Sequence, residues 1–319
     1  AEFDRLRKQL LAAVQREKSQ PNAMALRVLP RLLYGPNHAY ANPFSGSGNE
    51  ESIRQITVEQ LQKYHATWFK PNHSTLVVVG DGTLSEIKPR LERLFKGWKP
   101  GEVPVKNIAT PPSRQRPAVY LLNRPGAEQS VIFAAHVVPP KANPDEIAIE
   151  LANKILGSDF TSRINMNLRE DKHWTYGARS SIADARGARP FFVVAPVQTD
   201  KTKDAMDEIR RELAGFVSDT PPTQAELDKA IASQTLRLPG TWETISRIAG
   251  ALSEIARFGL PDDYYQTYAD HVRRQTVESV SRAATKIAST NQTVWGVGGD
   301  RAKIESSVRE LNLGDLQFS

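Results

Sequence analysis

Two stretches of this chain repeat each other at a fixed spacing, and that repeat limits the folds open to it more than any other feature. "TVEQLQKY…PNHSTLVVVGD" and "TVESVSRA…TNQTVWGVGGD" superpose at a constant offset of 219 residues: Thr57 on Thr276, Val58 on Val277, Glu59 on Glu278, Asn72 on Asn291, Gly80 on Gly299 and Asp81 on Asp300. A repeat of this kind marks two diverged copies of one domain. Upstream, "EFDRL" matches "ELDKA", with Glu2 on Glu226 and Asp4 on Asp228, at an offset of 224. The first copy therefore lacks whatever corresponds to residues 116 to about 221, and its domain is expected to be incomplete.

Local patterns fill in each copy. Leu6, Leu10, Leu11 and Val14 recur at helical spacing, and Pro21 stands where a second helix can begin. After the Gly/Pro/Asn-rich loop "YGPNHAYANPFSGSGNEES", Thr57 and Gln60 suit a capping box at the head of "ITVEQLQKYHATWF". "STLVVVGDG" reads as a buried strand feeding the helix "SEIKPRLERLF", where Pro89 either kinks the helix or sets its first turn. Residues 99–115 are Pro-rich and aperiodic, as an interdomain linker would be. Beyond them, "AVYLLNRPGAEQSVIFAAHVV" predicts two strands joined by a Pro-Gly turn, with Gln129 and Ser130 opening the second, and "PDEIAIELANKIL" predicts a helix beside Pro144. "ARPFFVVAPVQT" is a further strand, and Asp200 is placed to cap the helix "DKTKDAMDEIRRELAGF". Strand "TVWGVGG" and helix "AKIESSVREL" close the chain.

Composition narrows the chemistry. No cysteine is present among the 319 residues, which removes disulfides, thiolate metal sites and a cysteine nucleophile while fitting cytoplasm and bacterial periplasm alike. A net charge of +6 without a dense basic run describes a solvated surface rather than a nucleic-acid footprint, and no apolar run is long enough to span a bilayer. His38, His65, His73, His136, His173 and His271 are never closer than eight residues, so no zinc-binding helix face of the His-x-x-x-His or His-x-x-Glu-His kind exists. A metal held by scattered histidines and carboxylates stays open at this point. Ser158 and Ser162 have only generic neighbours, no Gly-x-Ser-x-Gly elbow occurs, and "GSGNEES" follows no strand and so reads as a turn rather than a phosphate loop. Glu50, Glu51, Glu170 and Asp171 flank loops, where solvated or capping roles are the default.

One pair stands apart. In "NLREDKHWTYGARS", Arg169 and Tyr176 lie seven residues apart in a polar segment that Gly177 turns into the strand "ARSSIA". A guanidinium and a phenol are suited to donating hydrogen bonds to a carbonyl or oxyanion. The alternative, which spacing alone does not exclude, is that Arg169 pairs with Glu170 or Asp171 and that Tyr176 is half-buried with a wet hydroxyl.

"LLYGPNHAYANPFSGSGNEESIRQITVEQLQKYHATWFKPNHSTLVVVGD" and "GSDFTSRINMNLREDKHWTYGARS" resemble the insulinase/pitrilysin-type zinc peptidases, the M16 family, and the resemblance extends over nearly the whole chain. It implies an α+β fold of tandem diverged domains, each a mainly antiparallel sheet with helices packed on it. The boundaries it suggests are 1–98 for the C-terminal part of a first domain, 99–115 for the linker and 116–319 for a complete second domain. It implies two halves closing like a clamshell around a peptide: one carries zinc on an inverted His-x-x-Glu-His motif with a further Glu, and the other supplies an Arg and a Tyr. Arg169 and Tyr176 match that second signature, "LRE…YG", whereas Ala12 and Ala13 stand where active members carry Glu-Glu. The chain is thus expected to be a non-catalytic, C-terminal-type half, begun part-way into its first domain, with no cofactor of its own and with Arg169 and Tyr176 as substrate-binding residues. Zinc is expected in a partner half, fused upstream or separate. Peptides are the expected substrates, no nucleic acid or membrane span is expected, and the bacterial periplasm is the favoured compartment. A structural or assembly module of the same fold is the competing expectation.

Overall fold

The computed structural model describes residues 1–114 and 116–318. The first segment is helical: α1 (Glu2–Ser19), α2 (Pro21–Tyr34), α3 (Glu50–Gln55), α4 (Val58–Trp68) and α5 (Leu84–Phe95). The second begins with strands β1 (Ala118–Asn123) and β2 (Gln129–Val138), followed by α6 (Glu146–Asn153), which runs on into a π-helical turn over Lys154–Ser158. A short α7 (Arg163–Asn165) continues into a second π turn over Met166–Asp171, and β3 (Arg179–Ile182) and β4 (Arg189–Gln198) follow. Then come α8 (Thr202–Gly215), α9 (Gln224–Leu236), α10 (Leu238–Thr241), α11 (Ile245–Phe258), α12 (Tyr264–Arg273) and α13 (Val277–Ile287). The last elements are β5 (Val294–Gly299), α14 (Arg301–Arg309) and β6 (Asp315–Phe318).

The six strands form one mixed sheet in the order β3-β4-β2-β5-β1-β6, antiparallel where β3, β4, β2 and β5 meet and parallel where β1 pairs with β5 and β6. With its helices this is an α+β architecture. Alternation along β2 sorts its side chains between two cores. Ile132 and Ala134 face a large core with Trp295, Met206 and Ile209 of α8, and Val280 and Ala284 of α13. Val131, Phe133 and Ala135 face the opposite way, toward Ala25, Leu29 and Leu33. Those three lie four residues apart on one stripe of α2, so this helix from the first segment covers part of the second segment's sheet. Pro30, inside α2, has no N–H to offer the Leu26 carbonyl, which instead accepts a bond from the Phe44 amide and ties the following loop down.

The repeat survives in local geometry at one end and diverges at the other. Thr57 with Gln60 and Thr276 with Ser279 both close capping boxes, opening α4 and α13. The apolar stretches that follow part company. Val294–Gly299 is a central strand buried throughout, whereas the expected strand in "STLVVVGDG" is not one: Leu76 and Val78 are exposed and no ladder partner lies beside them among the described residues. A strand is held by its neighbours' hydrogen bonds, so the same pattern without them stays irregular.

Of three smaller expectations, the one at Asp200 is corrected. β1 and β2 are joined, as expected, through a Pro-Gly turn at Gly126 (φ 76°), and β5 lies between them in the sheet. Asp200 does not cap α8: it sits in a 3₁₀ turn over Thr199–Lys201, and Lys201 precedes the helix without a side-chain cap. Pro89 lies inside α5, beyond its first turn.

Candidate functional site

Where α2 stops covering the sheet, a groove of about 660 Å³ opens over β3 and β4. β4 puts Phe192, Val194 and Pro196 on its floor, each only partly buried. β3 adds Ser181 opposite Phe192 and Arg179 opposite Val194. Asn22 and Leu26 of α2 form one wall, and Phe160, Asn165, Arg169 and Tyr176 the other.

That second wall is a polar segment fixed at several points. Asn165 is buried, its Nδ2 donating to the Phe160 carbonyl at 2.6 Å and its Oδ1 accepting from the Ala178 amide at 3.0 Å. Arg163 forks onto Glu226 with two bonds of 2.6 Å. The Trp174 carbonyl accepts from the Gln198 amide, and His173 takes a positive φ of 58° where the π turn ends. Gly157 lets the first π turn lie flat on β3, since a Cβ there would come within 2.8 Å of the Ser180 amide nitrogen. The wall is therefore rigid in its backbone, as a site that positions a ligand has to be.

Arg169 and Tyr176 line the same groove, and the structure also settles what they touch. Arg169 lies 4.5 Å over the Phe160 ring, with Nε 3.2 Å from Glu170, so the neighbouring ion pair weighed at the outset is present together with a cation–π contact. Tyr176 is 91% exposed rather than half-buried, and its hydroxyl has no partner among the described residues. Two charged groove residues were missed by sequence reading. Asp159 accepts from the Lys154 ammonium at 3.2 Å and from the Phe160 amide at 3.1 Å; burial works to raise its pKa, but these bonds outweigh it and hold the carboxyl below its ordinary value. Arg179 could be found only through the β3/β4 register.

No group of three His, Cys, Asp or Glu side chains able to hold a metal ion occurs among the described residues, and Ala12 and Ala13 of α1 offer no donor atom. His136 illustrates the fate of a histidine here. It is 2% exposed beneath α13 and packed against Phe191, and burial pushes its imidazole down to about 4, tempered by the Lys286 backbone. Its folded pKa lies below the unfolded value, so the unfolded chain binds the extra proton and stability falls as pH drops below about 6.5. Urea unfolding should lose up to about 1.4 kcal/mol per pH unit between pH 6.5 and 4.5, and His136→Phe should flatten that dependence. An unchanged slope in the variant would place the titrating group elsewhere.

A second cavity, of about 400 Å³, is lined by charge. Lys141, 5% exposed, stands 3.3 Å from Glu146, 2.9 Å from Glu150, 3.5 Å from Asp184 and 3.3 Å from Glu254, while Arg189 bonds Glu146 and Asp184. Burial alone would lower the Lys141 pKa; Glu150 and Glu146 reverse this and raise it. Each of these charges has a partner within the cluster, which makes it a fastening between helices.

A groove with an apolar floor, two arginines and an exposed phenol offers hydrogen-bond donors to whatever lies in it. The chain belongs to the peptidase M16 inactive-domain family, whose profile matches residues 55–234. It is 21% identical over 226 residues to the zinc protease PqqE of Helicobacter pylori, an alignment covering 70% of this chain and 49% of PqqE. It is also 21% identical over 307 residues to the non-peptidase homolog YmxG of the same organism, covering 94% of this chain and 68% of YmxG. Its fold matches the crystal structure of a peptidase M16 inactive domain from Pseudomonas fluorescens with a TM-score of 0.85 at 25% identity, over 93% of this chain and 70% of that one. The chain thus spans about half the length of PqqE.

Proposed function

We propose that this chain is the non-catalytic half of an M16 zinc metalloendopeptidase, and that Arg169 and Tyr176 hydrogen-bond a peptide held between it and a zinc-bearing partner half. The observation that carries this is the groove itself: the two donors that the sequence pairs line one wall of it above an apolar floor. In such enzymes zinc, when bound in the partner half, activates a water for attack on the scissile carbonyl. Arg169 would bring a fixed positive charge and a fork of N–H donors to the peptide backbone, its plane held by Phe160. Tyr176 would add a phenolic donor, free in this chain to turn toward the developing oxyanion. Residues 1–98 are proposed as part of a first M16-type domain, 99–115 as the linker and 116–319 as a second, supported by the twin capping boxes. The compartment proposed is the bacterial periplasm, whose oxidising chemistry a cysteine-free chain tolerates.

A second reading, a structural or assembly module without a peptidase role, is favoured by the likeness to a non-peptidase homolog over 94% of the chain. Mixing separates the two. The purified chain alone should carry no stoichiometric zinc and cleave no quenched-fluorescence peptide; a zinc-bearing M16 half from the same organism should give chelator-sensitive cleavage only when this chain is added. Cleavage indifferent to the chain would refute the peptidase reading and leave the module.

A further inference from the structure

We infer that Arg179 makes the groove selective for peptide segments in which an acidic side chain stands beside an apolar one, an inference that rests on reading the groove as a peptide site. Three charged side chains line it: Asp159, Arg169 and Arg179. Asp159 is engaged by Lys154 at 3.2 Å, and Arg169 by Glu170 at 3.2 Å and by the Phe160 ring. Arg179 is exposed and, among the described residues, no ion pair or side-chain hydrogen bond engages it, so the groove's uncompensated charge is positive and sits there.

An exposed arginine is ordinarily just solvated. The position of Arg179 argues for more. Its backbone is held in register opposite Val194, the preceding amide is bonded to Asn165, and the following Ser180 donates to Asn153 at 2.6 Å. The guanidinium thus rises from a fixed point on a concave, largely apolar floor, where a carboxylate can meet its fork two-pronged with less competition from water.

The geometry also says how a peptide lies. The turn containing Gly157 packs closely against Ser180 of β3, the end strand of the sheet, so an incoming chain extending the sheet there would meet that turn. It must lie across the face of the sheet, where side chains carry the recognition. In an extended peptide, side chains two residues apart point the same way at a separation of roughly 7 Å. An acid over Arg179 therefore sets a second side chain down on the aromatic part of the groove, over Phe192 or against Phe160.

The test is fluorescence anisotropy of the full chain with dye-labelled peptides in which Glu, Gln or Lys stands two residues from a Phe. The Glu peptide should bind about tenfold more tightly than the Gln peptide, the size expected of one charge-assisted hydrogen-bonded pair, and the Lys peptide most weakly. Arg179→Glu should invert the order, with its circular dichroism and melting temperature unchanged because the side chain is exposed. Should that variant fail to fold, the order of the three peptides on the wild-type chain and on Arg179→Gln decides the matter. Equal binding of all three overturns the selectivity and leaves the peptide groove standing. If none of them binds, both the selectivity and the groove's reading as a peptide site are overturned.

Discussion

Lys141→Ala should destabilise the chain by about 3–5 kcal/mol, read as a lower urea midpoint at unchanged slope. The ammonium is almost wholly enclosed and is shared by carboxylates from three places: Glu146 and Glu150 on α6, Asp184 in the β3–β4 connection and Glu254 on α11. Truncation would leave Arg189 alone to balance them, with Glu146 itself 5% exposed and already pushed upward in pKa by burial. Glu150, Asp184 and Glu254 keep some contact with water, so their repulsion is softened and the lower part of the range is expected. The consequences should not be uniform. α11 buries only Ala251 and is fastened by Glu254, which bonds Lys141 and accepts from the Tyr265 hydroxyl at 2.6 Å, and by Arg186, which donates to the Arg257 carbonyl. Its amides should therefore lose hydrogen-exchange protection in the variant before those of β2 or β4 do. A loss below about 1 kcal/mol with α11 unchanged would mean that water, not Lys141, balances the cluster.

This cluster also shows where sequence reading stops. Helix boundaries written in local chemistry, such as Thr57 with Gln60 and the Pro21 start of α2, were legible because the residues that decide them are three or four positions apart. Strand pairing was not. "STLVVVG" and "TVWGVGG" present similar apolar runs, yet only the second has neighbours on both sides, and a run of valines does not encode whether a ladder partner exists. The turn joining β1 and β2 was legible for the first reason, whereas the insertion of β5, some 170 residues downstream, between the two strands was not. The groove was legible in part. Arg169 and Tyr176 share a short segment and so could be paired on paper, whereas Asp159 and Arg179 join them only through a π turn and a sheet register that no periodicity announces. Lys141, Asp184, Arg189 and Glu254 come from separate elements and left no trace as a group.

Once the chain is assembled with a zinc-bearing half, Arg169→Ala and Tyr176→Phe should each lower kcat roughly a hundred- to a thousandfold, the effect of deleting one preorganised donor to an oxyanion. The division between constants carries the argument. A donor that meets the peptide equally in ground and transition states would raise KM and spare kcat, whereas one that tightens only as charge develops lowers kcat and kcat/KM together. Tyr176 is the cleaner case, since its hydroxyl bonds nothing among the described residues and its loss should leave the free chain's stability unchanged. Arg169 also stacks on Phe160, so Arg169→Ala removes packing along with charge; Arg169→Lys keeps the charge but loses the planar fork, and should restore only part of the rate. Full wild-type kcat in Tyr176→Phe would remove the oxyanion role. A raised KM alone would leave the pair as part of the peptide's seat, and the groove would then serve affinity instead of the chemical step.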